Sequence, residues 1–186
     1  VGDSEDSELI GGGTTDQTLI AGTGDDDFVL NAARAGTLNT IAFTNFLVVD
    51  GNGGNDDFQL ETADFAGNAL GGAGNDSFSV NVSQSGTLDG GGNDDDFHLG
   101  AGVSAPSVQG GDGSDEILGA TGVTTFTLTA ADQGTAQNGG GTVTFAAVEN
   151  LTGNTGNDDF NLSFNLSGTA AGGDGDDRFD LADAVN

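Results

Sequence analysis

The chain contains Gly71-Gly-Ala-Gly-Asn-Asp-Ser-Phe78, in which glycines and an Asp precede a large apolar residue. Stretches of the same kind recur along the chain. The Asp two residues before the apolar anchor falls at positions 26, 56, 76, 95, 115, 158 and 177, so the spacings are 30, 20, 19, 20, 43 and 19. A unit of 19–20 residues therefore repeats, with about ten additional residues in one interval and a whole additional turn in another.

Each anchor starts a short alternating pattern, as in Phe58-Gln-Leu60 and Phe97-His-Leu99, which predicts a strand with one buried face. A second apolar position precedes the glycines of most units. It is occupied by Val49, Leu70, Leu88, Val108, Leu151 and Ala170. We therefore predict an all-β fold, a parallel β-solenoid of the β-roll or β-helix kind with coils of about 19–20 residues. Its core is predicted to be one column of stacked rings. The rings are those of Phe58, Phe78, Phe97, Phe160 and Phe179.

The predicted solenoid runs as one continuous domain over residues 1–186. Residues 1–30 repeat every ten residues and place Asp6, Asp16 and Asp26 in register, which predicts half-coils with an Asp turn on both edges. A similarity over a longer distance, between residues 40–50 and 142–152, aligns Phe43 with Phe145. It predicts two approximate larger repeats, over 31–102 and 103–186.

The formal net charge is −28, from 30 acidic residues against Arg34 and Arg178. Such a polyanion excludes binding to nucleic acid and to anionic membranes, because almost nothing basic can contact phosphate. No apolar stretch is long enough for membrane insertion. Disorder and a salt-adapted surface are alternative explanations of the acidity. Ordered metal loops are favoured because 25 of the acids are Asp, mostly clustered between glycines and an apolar residue.

Stacked coils would place the repeated carboxylates roughly 4.8 Å apart. At an effective dielectric constant of about 20, neighbouring charges at that distance repel by roughly 3 kcal/mol. Calcium suits such a ladder because it binds six to eight oxygen ligands. Zinc would need His or Cys ligands. The chain has no Cys, and its single histidine, His98, is expected to face solvent between Phe97 and Leu99.

The glycine-rich stretches, Gly110-Gly-Asp-Gly-Ser-Asp-Glu-Ile-Leu118 among them, resemble the nonapeptide G-G-x-G-x-D-x-U-x of RTX calcium-binding repeats. The resemblance implies calcium ions between successive loops, held by carbonyl oxygens and the Asp side chain. The implied ligands are Asp26, Asp56, Asp76, Asp95, Asp115, Asp158 and Asp177, with Gly24, Gly54, Gly74, Gly113, Gly156 and Gly175 in the same loops. Asp16 and Asp6 are weaker candidates. Over most of the chain one loop per coil is acidic, so calcium is expected along one edge.

Residues 141–160 resemble linking repeats of very long secreted bacterial proteins. That resemblance implies an extracellular or cell-surface structural protein, an adhesin spacer, matrix fibre or surface-layer component, which folds where calcium is abundant. Head-to-tail self-association into filaments is a further expectation. Catalysis is not expected, because carboxylate pairs such as Asp56/Asp57 recur in nearly every unit. The alternative function is a carbohydrate- or ice-binding module, or the RTX region of a secreted enzyme.

Overall fold

The structure, a computed structural model, describes residues 8–12 and 17–181. Asp6 and Asp16 lie outside these residues. In the described part the chain is all β and contains no helix, and hence none long and apolar enough to span a membrane. Two sheets of ten strands each make up the molecule, and most neighbouring strands are parallel.

The first sheet has the spatial order β1 (Glu8–Ile10), β5 (Ile41–Thr44), β4 (Ala35–Leu38), β3 (Asp27–Ala32), β7 (Asp57–Leu60), β9 (Ser77–Val80), β11 (Asp96–Leu99), β13 (Glu116–Leu118), β17 (Asn150–Thr152) and β19 (Ala170–Ala171). The second sheet has the order β2 (Thr18–Ile20), β6 (Val48–Asp50), β8 (Asn68–Ala73), β10 (Thr87–Gly92), β12 (Ala105–Asp112), β16 (Gly141–Ala146), β15 (Gln133–Asn138), β14 (Thr124–Ala130), β18 (Asp159–Leu162) and β20 (Arg178–Leu181).

From β6 to β13 the chain alternates between the two sheets, so each repeat unit adds one parallel strand to each. The inward residue of the second sheet lies nine positions before the anchor of the first, as Val49 does before Phe58. This constant spacing corrects one prediction. Leu70 does not occupy the inner column, because Ala69 pairs with Val49 and is fully buried.

Two antiparallel triplets interrupt the alternation. Strands β3, β4 and β5 form one within the first sheet, and β14, β15 and β16 form the other within the second. Each triplet has a glycine in its middle strand. A Cβ there would lie 2.2 Å from a neighbouring strand's carbonyl oxygen and about 3 Å from a ring, that of Phe43 for Gly36 and that of Phe145 for Gly134.

The phenylalanine rings form two stacks, which corrects the prediction of one column. The first stack lies in the first sheet and joins Phe28, Phe58, Phe78 and Phe97, with ring centroids 4.6, 4.6 and 4.8 Å apart. The second lies in the second sheet and joins Phe126, Phe160 and Phe179, at 5.0 and 4.6 Å. The Phe-bearing strand changes sheet at β14, the first strand of the triplet β14–β15–β16, which follows β13 of the first sheet and pairs with β18 in the second.

Candidate cation-binding loops

The spacing that recurs inside each unit decides where the Asp side chain points. The Asp lies two residues before the inward anchor, and side chains two positions apart in an extended chain share a face. The loop carboxylate is therefore directed into the molecule. At Asp76, which precedes Phe78 in this way, the exposed fraction is 2 %.

The loop carboxylates hold successive units together through an inner ladder of hydrogen bonds. In each rung a backbone N–H donates to one carboxylate oxygen of the following unit. The pairs are Asp26 to Asp56 (2.8 Å), Asp56 to Asp76 (2.8 Å), Asp76 to Asp95 (2.8 Å), Asp95 to Asp115 (2.9 Å) and Asp115 to Glu149 (2.9 Å). Glu149 thus ends the ladder.

An outer ladder runs beside the inner one with the opposite polarity. Here the backbone N–H of the later unit donates to the side-chain oxygen of the earlier one. The pairs are Asn55 to Asp25 (2.8 Å), Asn75 to Asn55 (2.9 Å), Asp94 to Asn75 (3.4 Å) and Ser114 to Asp94 (2.9 Å). The outer carboxylates are exposed to solvent, whereas the inner Asp carboxylates from Asp56 to Asp115 are buried and that of Glu149 is half-buried.

The second oxygen of the inner carboxylates, Oδ2, is the unusual feature of these loops. In five Asp residues Oδ2 is buried, and no hydrogen-bond partner for it exists in the described part of the chain. They are Asp56, Asp76, Asp95, Asp115 and Asp158. Each of these side chains is at most 2 % exposed. An unpaired polar group in such a place is costly unless a cation or a proton completes it.

Each unpaired oxygen faces the first glycine of its own loop. A Cβ on Gly71 would lie 2.2 Å from Oδ2 of Asp76 and 2.4 Å from the carbonyl oxygen of Gly90 in the next unit. A carboxylate oxygen and a carbonyl oxygen therefore converge over a glycine that leaves the space free. The same arrangement surrounds Gly51, Gly90, Gly110 and Gly153, with Ala147 supplying the carbonyl next to Gly110.

The glycines named from the sequence have a different role. Gly54, Gly74, Gly113, Gly156 and Gly175 have φ between +118° and +156°. A Cβ on Gly74 would lie 1.7 Å from the carbonyl oxygen of Gly54, so these glycines let one loop lie directly on the next. Gly24 differs, because nothing lies within 4 Å of its added Cβ. The glycines that face the carboxylates come three residues earlier and were missed.

The ladder of loops changes edge along the molecule, which corrects the prediction that the Asp loops lie along one edge. Loops with Asp26 to Asp115 lead from the second sheet to the first. The loops of Asp158 and Asp177 lead from the first sheet to the second and hence lie on the opposite edge. Here the backbone N–H of Asp158 donates to Asp177 Oδ1 at 2.9 Å, and the backbone N–H of Thr124 donates to Asp158 Oδ1 at 2.5 Å.

Thr124 occupies the position of the ladder Asp in a divergent unit. Like each Asp it lies two residues before a buried Phe, here Phe126, and its loop begins with Gly119. Its hydroxyl oxygen is buried, with no hydrogen-bond partner among the described residues. The spacing from Gly119 to Phe126 equals that from Gly153 to Phe160, and this signal could have identified the unit from the sequence.

Asp26, at the start of the first ladder, differs from the other predicted ligands. One of its carboxylate oxygens accepts a hydrogen bond from the Asn39 side chain at 2.7 Å, and the other accepts from the Gly22 N–H at 3.1 Å. Both oxygens of Asp26 are therefore partnered. The structure groups Asp56, Asp76, Asp95 and Asp115 as equivalent rungs and sets Asp26 apart.

Burial dominates the electrostatics of the inner ladder. Loss of hydration, together with the charge of neighbouring carboxylates, raises the pKa of Asp56 to about 6, that of Asp95 to about 7 and that of Asp115 to about 6. The backbone hydrogen bond to each carboxylate opposes the shift. Burial also raises the pKa of Asp76 and of Asp158. Burial therefore disfavours the free carboxylate at each of these positions, and a proton or a bound cation would relieve that cost.

The donor set of these loops consists of oxygen atoms alone, from carboxylates and backbone carbonyls. Such a set fits a hard cation such as calcium better than zinc. Within residues 8–12 and 17–181, no three His, Cys, Asp or Glu side chains converge on one point, so a bound cation would depend on the carbonyl oxygens. The loops fit such an ion at the unpaired Oδ2 atoms, which lack any other partner in the described residues.

Comparison of the chain with protein-family models, with curated proteins and with solved structures finds no match.

Proposed function

We propose that the chain is an extracellular structural or adhesive repeat protein, a spacer or surface-layer component built as a calcium-stabilised β-solenoid. Strands that alternate between two sheets, with each unit lying parallel on the last, support the solenoid. Each unit contacts its neighbours, so the array has the one-dimensional build of a rigid spacer.

The observation that carries the calcium proposal is the row of buried, unpaired Oδ2 atoms. The residues that would hold calcium are Asp56, Asp76, Asp95 and Asp115 on one edge and Asp158 on the other, together with the glycine carbonyl oxygens that converge on them. A bound cation would neutralise the repulsion between rungs. It would also make the fold depend on the millimolar calcium outside cells, which supports an extracellular location.

The outward faces support a structural role over a binding module. The row beside the first Phe stack reads Asp57, Ser77, Asp96 and Glu116 across neighbouring strands, with no regular array of one residue type. His98 is exposed, and paired carboxylates recur from unit to unit. We therefore favour a structural protein over an enzyme.

Calcium titration of EDTA-treated protein, followed by far-UV circular dichroism, tests the proposal. We expect a weakly structured apo chain that becomes strand-rich and melts at higher temperature with calcium. Magnesium should not replace calcium, because it requires a strict octahedron and retains its waters. Equal strand content and equal melting temperature with and without calcium would refute the calcium role and leave a solenoid stabilised by stacked Phe rings.

A further inference from the structure

The triplet β14–β15–β16 turns one set of side chains outward from the second sheet. Over most of each strand, buried residues alternate with residues that are half-buried or exposed. Because the three strands pair in register, the outward side chains form two rows across them. We call these six residues the Thr face: Thr127, Thr135 and Thr144 in the first row, and Thr125, Gln137 and Thr142 in the second.

The Thr face is uncharged, in contrast with most of the molecule. Residues 117–148 contain one charged residue, Asp132, although the chain carries 30 acids. Asp132 lies in the turn between β14 and β15 and belongs to neither row. The outward row beside the first Phe stack, in contrast, carries Asp57, Asp96 and Glu116. A flat face of hydroxyl and amide groups therefore interrupts an otherwise anionic surface.

The fold does not require the hydroxyl groups of the first row. Gly36 and Gly134 hold equivalent places in the middle strands of the two triplets, each between a Leu and a Phe. In the first triplet the equivalent row consists of Val29, Thr37 and Ala42. The same architecture therefore forms with one hydroxyl group in this row instead of three. Strand propensity favours Val as much as Thr, so it does not account for the difference.

We propose that the Thr face binds an uncharged polysaccharide that lies across the strands. This inference rests on the adhesive form of the proposed function and names its ligand. Hydroxyl and amide side chains both donate and accept hydrogen bonds, as the hydroxyl groups of a sugar do. The net charge of −28 would repel an acidic polysaccharide. A protein partner is less suited, because the cores of protein interfaces are enriched in aromatic residues, Met and Arg, and the Thr face contains none of these.

The first row of the Thr face continues into the neighbouring strands. Asn161 of β18 pairs with Thr127, and its side-chain amide donates to the Thr127 hydroxyl at 3.3 Å. On the other side, the register of β12 with β16 sets Ser107 beside Thr144, and Ser107 pairs with Thr87 of β10. The row thus gains three uncharged polar side chains, at the strand spacing of roughly 4.8 Å. Such a row suits a long ligand that repeats its hydroxyl groups.

The strength of binding should depend on the length of the polysaccharide. The six residues of the Thr face include no aromatic ring to stack on a sugar, so each sugar would be held by hydrogen bonds alone. A polymer that contacts several strands at once should bind roughly a hundredfold more tightly than a tetrasaccharide. The Thr face contains none of the proposed calcium ligands. Failure of the calcium titration and failure of this inference are therefore distinguishable.

Affinity electrophoresis of the 186-residue chain in native gels with calcium tests the inference. The gels contain mixed-linkage β-glucan, galactomannan or dextran as the uncharged polymer, or alginate as the acidic control. We expect at least one uncharged polymer to retard the wild type, and alginate to have no effect. The variant T127V/T135V/T144V keeps the β-branched shape without the hydroxyl groups and should not be retarded. Thr37→Val changes the equivalent place in the first triplet and should be retarded as wild type is.

Thermal melts establish that both variants are folded. Wild-type migration unchanged by all three uncharged polymers would overturn the proposal, and so would equal retardation of wild type and folded T127V/T135V/T144V. A tetrasaccharide that competes as strongly as its polymer would contradict binding across the strands. Inhibition of ice recrystallisation without retardation by any polymer would assign the Thr face to ordering water and would also overturn the proposal.

Discussion

The backbone N–H of Asp76 donates to Oδ1 of Asp95 at 2.8 Å, while Oδ2 of Asp95 is buried without a hydrogen-bond partner in the described residues. One carboxylate thus does two different things. Its first oxygen joins two repeat units, as a backbone carbonyl does in a sheet. Its second oxygen faces Gly90 and the carbonyl oxygen of Gly110. The hydrogen bond to Oδ1 forms whether the side chain is charged or neutral. The buried Oδ2, in contrast, needs a cation or a proton as its partner.

Replacing Asp95 with Asn separates these roles. Asn keeps the Oδ1 acceptor and removes the buried charge. In EDTA at pH 8 we expect Asp95→Asn to be more stable than wild type by about 1–3 kcal/mol, the cost of an unsatisfied buried polar group. In saturating calcium the order should reverse.

Urea unfolding with and without calcium measures both differences. Asp94→Asn is the matched control, because Asp94 is exposed and its Oδ1 acceptor toward Ser114 is retained. It should change stability little in either buffer. A loss of stability in EDTA for Asp95→Asn equal to that in calcium would show that no cation is involved.

The pH dependence of the calcium-free protein should be opposite to ordinary acid denaturation. The folded-state pKa values of Asp56, Asp95 and Asp115 lie at about 6, 7 and 6, above the usual 3.8. The folded state therefore binds more protons than the unfolded state between about pH 7 and 4. The free energy of unfolding should therefore rise as the pH falls through 7 to 6. The gain should be complete once the pH is below 3.8, the pKa of these carboxyl groups in the unfolded chain.

Melting temperatures in EDTA at pH 8, 6.5 and 5 test this expectation. The rise between pH 8 and 5 should be smaller in Asp95→Asn, which lacks one of the three groups. With calcium present the trend should weaken, because protons compete with the cation for the same oxygens. A melting temperature in EDTA that falls steadily from pH 8 to 5 would contradict the raised pKa values.

A methyl group on Gly71 should close the space in front of Asp76. The added Cβ would lie 2.2 Å from Oδ2 of Asp76 and 2.4 Å from the Gly90 carbonyl oxygen. We expect Gly71→Ala to cost about 1–3 kcal/mol through overpacking and to weaken calcium binding. Gly92→Ala is the control, since its Cβ would meet its nearest atom at 3.9 Å. Isothermal calorimetry and urea unfolding measure the two effects, and equal behaviour of both variants would refute the close approach.

The sequence identified the inward Asp and Phe of each unit because both recur at one spacing. Its period was sufficient to predict an all-β chain and to place Asp56, Asp76, Asp95 and Asp115 on one ladder. It did not reveal the antiparallel triplets. The residues of β15 (Gln133–Asn138) carry neither the Asp nor the Phe signal, because this strand packs Gly134 against Phe145 instead of adding a repeat unit.

The missed triplet caused the two larger errors. Its presence moves Phe160 into the second sheet and Asp158 to the opposite edge, although both residues lie in units that look ordinary. The local sequence pattern of a unit predicts which of its side chains point inward. It does not predict the sheet to which the strand belongs, because that depends on the number of strands that come before it. Leu70 was misplaced for a simpler reason. It is the larger residue, but the nine-residue spacing to Phe78 selects Ala69.

The ring of Phe78 lies in the middle of the first stack, and its truncation tests the core. Phe58 and Phe97 stack on its two faces at 4.6 and 4.8 Å, and all three rings are fully buried. We expect Phe78→Ala to lower the free energy of unfolding by about 3–5 kcal/mol. Phe164→Ala removes the same group from a ring that is 52 % exposed and should cost far less. Unfolding curves in calcium that shifted equally for both variants would be incompatible with a stacked core.

Thr124 offers a gain of function at the start of the second ladder. Its hydroxyl oxygen occupies the place of Oδ2, and an added Cβ on Gly119 would lie 2.8 Å from that oxygen and 2.9 Å from the Gly153 carbonyl oxygen. Thr124→Asp would supply the carboxylate that the other rungs have. We expect the variant to bind one more calcium ion per chain in equilibrium dialysis, and to be less stable than wild type in EDTA because it adds a buried charge. Thr124→Asn, which is polar but neutral, should show neither change. Unchanged stoichiometry in a folded Thr124→Asp protein would argue against calcium on the second edge.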